Sequence, residues 1–591
     1  YQATRAGLDA AIVNSERLAR YAEIPERVRA LAEALIFLAP GDAAAGERAV
    51  AEFTAHYRGR PSETGRPRRE DLPVEERLAR AIVEGSKEGL IEDLDAALAD
   101  PRWPSPLDVV NGPLMAGMAE VGRLFNDNRL IVAEVLQSAE VMKAAVTHLE
   151  RFMERAEGGG RGKVLLATVK GDVHDIGKNL VEIVLANNGF TVVNLGIKVP
   201  SEQLIQAVRS HRPDVVGLSG LLVKSAQQMV LSAEDLRAVG VDVPLVVGGA
   251  ALTRRFTHRR IAPAYGAFCT YARDAMHGLA LVERLTDAAR RPELEREVAA
   301  SVANDSADAE PERPAVGVAT VARRSLVRRD LAPPEPPDLE RHVETLDLDA
   351  VWGELNPQMV YGKHLGLKGV VRRLAAQGDE KYAKLEAVVE ELKALGRDGA
   401  MTARAVWRFF PARVDGAGGE ELTLLDPGSG ETVARWTLPR QSGPEGLSIT
   451  DYVLEGDHVA LFVTTAGEGV RERVEAWKHA GEYLKSHAFA ALALETAEAA
   501  AEHLHSRLRE AWGFPDPPEL APEDRFAARY RGKRYSFGYP ACPDLAGQRA
   551  LFAALRPEEI GVRLTDGDMM DPEASVSALV VHHPDARYFG V

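Results

Sequence analysis

The chain has 591 residues, 46% of them hydrophobic and 27% charged, which calls for several folded domains. Its 72 basic and 88 acidic residues leave a formal charge of -16, which argues against a general phosphate-backbone binder, so nucleic acid is not an expected partner. The 2 cysteines, Cys269 and Cys542, exclude a disulfide framework and a multi-thiolate zinc site; no apolar run approaches the roughly 20 residues of a membrane span and no signal peptide opens the chain, so a cytoplasmic protein without a membrane partner is expected.

Taken in chain order, residues 1–73 read as the tail of a larger domain plus a linker, with helical apolar spacing over Pro25–Leu38 and an Arg-, Pro- and Gly-rich loop over Arg58–Pro73. The start at Tyr1, without a methionine, reads as a fragment. Residues 74–157 are predicted to be helical throughout. Leu78, Ile82, Leu90, Ile91, Leu94 and Leu98 recur at helical spacing, as do Leu114, Met118, Val121 and Phe125, then Val132, Leu136, Ala139 and Met142. That makes a small four-helix bundle with Met115, Met118 and Met142 as packing residues, closed by Gly158-Gly159-Gly160.

From 161 to 290 the pattern changes. Short apolar runs, Val164–Val169, Thr191–Leu195, Val215–Leu218, Leu245–Val247 and Ala267–Tyr271, alternate with amphipathic segments, as in a parallel, doubly wound α/β sheet. Ligands of such sheets sit at the carboxyl ends of the strands. The run 170–179 and the turns Ser219-Gly220 and Gly248-Gly249 all fall at such ends. Residues 291–315, without apolar periodicity, read as a linker and candidate hinge; Pro333-Pro334-Glu335-Pro336-Pro337 is a second stiff stretch. Residues 316–591 read as an α+β domain with a strand at Val459–Thr464 and one long helix, roughly Val470–Trp512.

The most informative run is Lys170-Gly171-Asp172-Val173-His174-Asp175-Ile176-Gly177-Lys178-Asn179, a histidine between two aspartates at a strand-to-helix turn. A neutral imidazole is a good transition-metal ligand when its second nitrogen is held, commonly by a carboxylate, and Asp172 can supply that carboxylate. The flanking glycines let the backbone pass close to a bulky group. A simple metal site or a structural histidine remain the alternatives on this motif alone.

Asp172-x-His174-x-x-Gly177, followed by Ser219-Gly220-Leu221 and Gly248-Gly249, resembles the signature of cobalamin-binding domains, and its longer form resembles the corrinoid methyltransferases. With Arg534-x-x-x-Gly538-Tyr539-Pro540 near the C-terminus, nearly the whole chain resembles the cobalamin-dependent methionine synthases from the end of the folate domain onward. The resemblance implies a multidomain fold: an all-α four-helix cap (74–157), a flavodoxin-like, Rossmann-type cobalamin domain (161–290) and an α+β activation domain that binds S-adenosylmethionine (316–591). It implies His174 as the lower axial ligand of the cobalt of cobalamin (methylcobalamin), released and rebound during turnover. Asp172 and Ser225 would complete a relay behind His174. Gly171, Val173, Asp175, Gly177, Ser219, Gly220, Val223, Gly248, Gly249 and Ala275 would lie along the cofactor, and Asn111, Phe125 and Val132 would cover its upper face from the cap. Asn111, Val132 and Val223 depart from the family's commoner residues at those places.

For S-adenosylmethionine the resemblance implies Asp349 (in preference to Asp347), Glu498, Arg534, Gly538, Tyr539 and Tyr588. An Arg can grip an amino-acid carboxylate with two parallel bonds, and Glu498 can take the amine. The implied activity is methyl transfer from 5-methyltetrahydrofolate to homocysteine, with reductive remethylation by S-adenosylmethionine and a flavodoxin-type reductant. The homocysteine module with its zinc, and the folate barrel apart from its end near Ala10–Arg29, are not recognised in this chain. A monomer is expected. A corrinoid carrier protein, a cobalamin-based light sensor and a cobalamin-dependent mutase are the competing readings; each lacks one of the modules recognised here or needs one that is not.

Overall fold

The computed structural model describes residues 27–28, 31–32, 52, 69–152, 161–221, 223–249, 252–307, 327–416, 419–441 and 445–590. The readings on residues 1–68, on the triglycine at 158–160 and on 308–315 therefore fall almost wholly outside the described residues. The chain divides into two compact units, Tyr1–Leu78 and Ala79–Val591, and the second holds the three sheets and the site residues.

The unit boundary falls inside the first helix, α1 (Val74–Glu84), and the helices α2 (Leu90–Leu98), α3 (Met115–Asn126) and α4 (Val132–Leu149) follow it in the second unit. A wide turn, Val110–Leu114, leads into α3 and contains Pro113, whose missing N–H loosens the helical ladder there. Met118 and Met142 are buried as expected.

Next comes a sheet of β1 (Lys163–Thr168), β2 (Thr191–Asn194), β3 (Val215–Ser219), β4 (Leu245–Gly248) and β5 (Cys269–Tyr271). All pairings are parallel and the spatial order is β2-β1-β3-β4-β5, which puts the topological switch point between β1 and β3. Thr168 pairs with Ser219 and Ser219 with Gly248, so the predicted strand ends lie side by side. Helices α5 (Ile176–Asn187), α6 (Ser201–His211), α7 (Val223–Ala238) and α8 (Ala275–Thr286) cover it. The near-continuous Val/Leu character of the strands follows from burial on both faces.

The expected linker starts as a helix, α9 (Arg291–Ala307). Its Ala, Glu and Arg residues are strong helix formers without an apolar stripe, and a reading keyed to apolar periodicity passes over such a segment.

The strands of the C-terminal part are β6 (Arg341–Leu346), β7 (Ala403–Asp415), β8 (Glu421–Leu425), β9 (Thr432–Thr437), β10 (His458–Thr465) and β11 (Lys533–Tyr535), then β12 (Arg563–Leu564), β13 (Met570–Asp571) and β14 (Ser575–Val581). They form an antiparallel sheet in the order β11-β14-β10-β7-β8-β9, with β6 also paired to β7. The two-stranded ribbon β12–β13 projects beside it. The single long helix expected over 470–512 is two: α10 (Val470–Ala480) ends at Gly481, whose φ of 79° is left-handed, and α11 runs over Tyr483–Ala511. Alanines 488, 493, 497, 500 and 501 are fully buried along α11 and let it lie close against the sheet. One apolar core joins Leu136 and Ala139 of α4, Ile183 of α5, and Leu346, Leu484 and Phe489 of the C-terminal part.

Candidate functional site

His174 sits in the loop between β1 and α5, at the carboxyl end of the sheet beside the switch point. Asp172 is fully buried below it, and all its acceptor capacity is in use. Its Oδ1 accepts from His174 Nδ1 at 2.6 Å and from the His174 backbone N–H at 2.9 Å. Its Oδ2 accepts from Ser225 Oγ at 2.5 Å and from the Leu221 N–H at 2.8 Å. Burial would raise the Asp172 carboxyl, but the bonds from His174 and Ser225 outweigh it and hold Asp172 below its ordinary range. Burial likewise opposes the His174 imidazolium; the bond to Asp172 and the charge of Glu573 outweigh that and raise it. His174 lines the adjoining cavity, and with Nδ1–H given to Asp172 the neutral ring keeps its lone pair on Nε2, the tautomer of a metal-ligating histidine.

The surroundings fit a bulky corrinoid. A Cβ on Gly177 would meet nothing within 4 Å, so the backbone is open there. Gly249 has φ +146°, and a Cβ on it would lie 1.7 Å from the Gly220 carbonyl oxygen. The two glycine turns therefore press together at the strand ends, and no side chain fits between them. Gly249→Ala is expected to lower stability by about 3 kcal/mol or more, read as a fall in thermal midpoint with loss of cofactor binding.

The remaining positions of that group are distributed as follows. Val173 is buried, Asp175 immediately precedes α5, Val223 opens α7, and Ala275 opens α8 just after β5.

What faces His174 is the C-terminal part. A cavity of about 970 Å³ is lined by His174 and Leu221 on one side and by Glu498, Arg534, Tyr539 and Tyr588 on the other. The β12–β13 ribbon locks the two together. Thr565 Oγ1 donates to the Gly171 carbonyl at 2.7 Å, Lys224 pairs with Asp568 at 2.7 Å, and Lys198 pairs with Asp571 at 2.5 Å. Gly171, at φ 77°, lets Gly567 come so close that a Cβ would lie 2.7 Å from its Cα. Glu573, next to the ribbon, is driven up to about 7 by burial against this site.

The cap residues Asn111, Phe125 and Val132 do not line the His174 cavity in this arrangement. Asn111 lines a separate cavity of about 640 Å³ with Met276 and Glu283 on α8. Val132 packs against Gly366, where a Cβ would meet its backbone nitrogen at 2.8 Å, and Phe125 is half-buried in α3 without lining the His174 cavity. The C-terminal part occupies the side of His174 that the cap was expected to cover.

At the far wall, Arg534 Nη1 donates to Glu502 Oε2 at 2.7 Å, and Arg534 Nη2 lies 3.7 Å from Glu498. Burial opposes the guanidinium charge, but Glu502 and its neighbours outweigh it and keep the charge locked on. Gly538, at φ 88°, makes the turn that carries Tyr539 to the cavity, with its N–H given to the Cys542 carbonyl at 2.9 Å. Cys542 is buried and its thiol is pushed up to about 12, so it is inert.

Asp349 is not part of this wall: its side chain is 61% exposed and pairs with Arg397 at 2.7 Å. Asp347 is a helix cap, accepting from the Ala350 N–H at 3.0 Å. The nearby acid in the cavity is Glu354, ion-paired with Arg525. Glu354, Glu495 and Glu502 are the wall residues that sequence reasoning missed. The spacing of Glu495, Glu498 and Glu502, three carboxylates on one face of an alanine-rich helix, was the signal for two of them.

Residues 74–150 and 162–280 each match a family described as B12 binding domain, and residues 369–591 match the activation domain of vitamin B12 dependent methionine synthase. The chain is 35% identical over its full length to the methionine synthases of Mycobacterium tuberculosis and Mycobacterium leprae, and it covers 52% of each. Among solved structures, the MetH reactivation domain bound to AdoHcy is similar at a TM-score of 0.41 and 23% identity, covering 44% of this chain and 84% of that one. The fold and the His174 site thus define a cobalamin-binding protein. Within that class its residues 369–591 are similar to the activation domain of the vitamin B12-dependent methionine synthases, and the chain spans about half the length of the curated relatives it matches. Among the described residues no helix is long and apolar enough to cross a membrane.

Proposed function

We propose that this chain is the cobalamin-carrying and reactivating half of a methionine synthase. It would serve the transfer of a methyl group from 5-methyltetrahydrofolate to homocysteine, and restore the cofactor with a methyl group from S-adenosylmethionine. The observation that carries this reading is that His174 and Arg534 line one cavity. Bound cobalamin supplies the cobalt that carries the methyl group. His174 would hold that cobalt through Nε2, while Asp172 and Ser225 fix the imidazole's tautomer and take part in its proton balance when it lets go. Arg534 would grip the carboxylate of S-adenosylmethionine; Glu498, Tyr539 and Tyr588 would complete the wall, with Glu354 in the place expected of Asp349. The Lys198–Asp571 and Lys224–Asp568 pairs would hold the activation domain over the cofactor. Asn111, Phe125 and Val132 would cover the cofactor in a second arrangement, with the ribbon withdrawn. Homocysteine and methyltetrahydrofolate would be brought by modules outside this chain, the electron by a flavodoxin-type protein, and the chain would act as a cytoplasmic monomer.

A corrinoid carrier shares the first two domains, but the activation domain at 369–591 favours the methionine synthase reading. The test is to load the chain with cobalamin and add a chemical reductant with S-adenosylmethionine labelled in its methyl group. Label in the protein-bound cofactor supports the proposal; bound cofactor that stays unlabelled would favour the carrier.

A further inference from the structure

We propose that Glu502 receives the α-ammonium group of the amino-acid end of the activation-domain ligand, while its second oxygen aims Arg534 at the α-carboxylate. This deepens, and rests on, the reading of that wall as an S-adenosylmethionine site. Glu502 lines the cavity and is only 8% exposed. Its two oxygens differ. Oε2 accepts from Arg534 Nη1 at 2.7 Å and from the Tyr530 hydroxyl at 3.1 Å. Oε1 is buried and has no hydrogen-bond partner. Arg509 Nη2 stands 3.6 Å from it, too far for a hydrogen bond. Arg509 gives Nε and Nη2 to Asp516 at 2.7 and 2.5 Å and lies 3.9 Å over the Tyr530 ring.

A buried, ionised oxygen without a donor is costly, and a cationic donor entering the cavity relieves that cost. An α-amino acid carries its ammonium and its carboxylate on one carbon, so their receptors must be neighbours. Arg534 and Glu502 already touch. Glu498, one turn earlier on α11, has a side chain 49% exposed, against 10% for Glu502, and lies 3.7 Å from Arg534. Burial raises Glu498 as well, but of the two only Glu502 is hydrogen-bonded to Arg534 and so stands directly beside the receptor of the carboxylate. Glu354 is already held by Arg525. The chemical class recognised is thus a zwitterionic α-amino acid, here carried on a nucleoside sulfur.

The experiment is calorimetric titration of the full chain, loaded with cobalamin, with S-adenosylhomocysteine and with its counterpart lacking the α-amino group. Removing the amine is expected to weaken binding about 10- to 100-fold, and Glu502→Gln to weaken the parent ligand by a similar factor. Combined, the two changes are expected to cost no more than the larger of the two alone, because the ammonium contact can be lost only once. For Glu498→Gln the losses should multiply. If Glu502→Gln weakens both ligands equally, Glu502 only positions Arg534 and the proposal is overturned. If the unaltered chain binds neither ligand, the S-adenosylmethionine reading itself fails. Cobalamin uptake and the thermal midpoint report whether Glu502→Gln folds. Should it not, Glu502→Asp keeps the charge but shortens its reach. It is expected to discriminate less between the two ligands, and undiminished discrimination would overturn the proposal.

Discussion

Arg534→Ala is expected to weaken binding of S-adenosylhomocysteine by about 100-fold or more, with cobalamin uptake unchanged, as measured by the same titrations. The magnitude follows from what surrounds the guanidinium. Its side chain is only 18% exposed, its Nη1 is held by Glu502 at 2.7 Å, and Glu498 stands at 3.7 Å. Removing it deletes a two-pronged, charge-assisted grip on the ligand's carboxylate. It also leaves two carboxylates facing each other across the space vacated, which further repels the ligand's carboxylate. Arg534→Lys keeps the charge but not the fork, and should recover only a small part of the loss. Binding that survives Arg534→Ala within a factor of a few would remove Arg534 from the site.

His174→Ala is the second large effect. Changing a residue that only supports a metal ligand already costs about 10- to 100-fold in metal affinity. Loss of the ligand itself should cost at least that much in cobalamin affinity. It should also abolish the absorbance change that marks coordination of a protein imidazole. The fold should survive, because Asp172 keeps its bonds from Ser225 Oγ and the Leu221 N–H at 2.5 and 2.8 Å. Unchanged affinity and an unchanged spectrum would mean that cobalt, when bound, takes its ligand from elsewhere.

Much of the fold and of the His174 site is legible in the sequence. The strand ends at Thr168, Ser219 and Gly248 are visible because a parallel sheet buried on both faces writes itself as short apolar runs bounded by glycine. The Asp172–His174 pair is local, two residues apart, and so is its chemistry. Ser225 is 53 residues from Asp172 and enters only through the resemblance. The misses are of a different kind. Asp349 enters through the resemblance, but whether a side chain faces a cavity or solvent depends on packing, here against Arg397, 48 residues away. Residues 291–307 lack a stripe and so read as a linker, although helix propensity without amphipathicity suffices there. The break at Gly481 lies inside a pattern that is apolar on both sides of it, which hides the left-handed turn. Which domain stands over His174 is not legible at all. It depends on contacts such as Thr565 to Gly171 and Lys224 to Asp568, which join residues 394 and 344 positions apart.

The central claim is that the cofactor held by His174 and the sulfur of the activation-domain ligand share one cavity. The most direct measurement is electron–nuclear double resonance on the full chain carrying cobalamin in its paramagnetic cobalt(II) form. It would be made with S-adenosylmethionine carbon-13 labelled in the methyl group and no reductant present. Dipolar coupling falls with the cube of distance, so a shared cavity predicts a resolved carbon-13 coupling to the cobalt electron. That coupling should disappear in Arg534→Ala. Both molecules bound, with no carbon-13 coupling, would contradict the account.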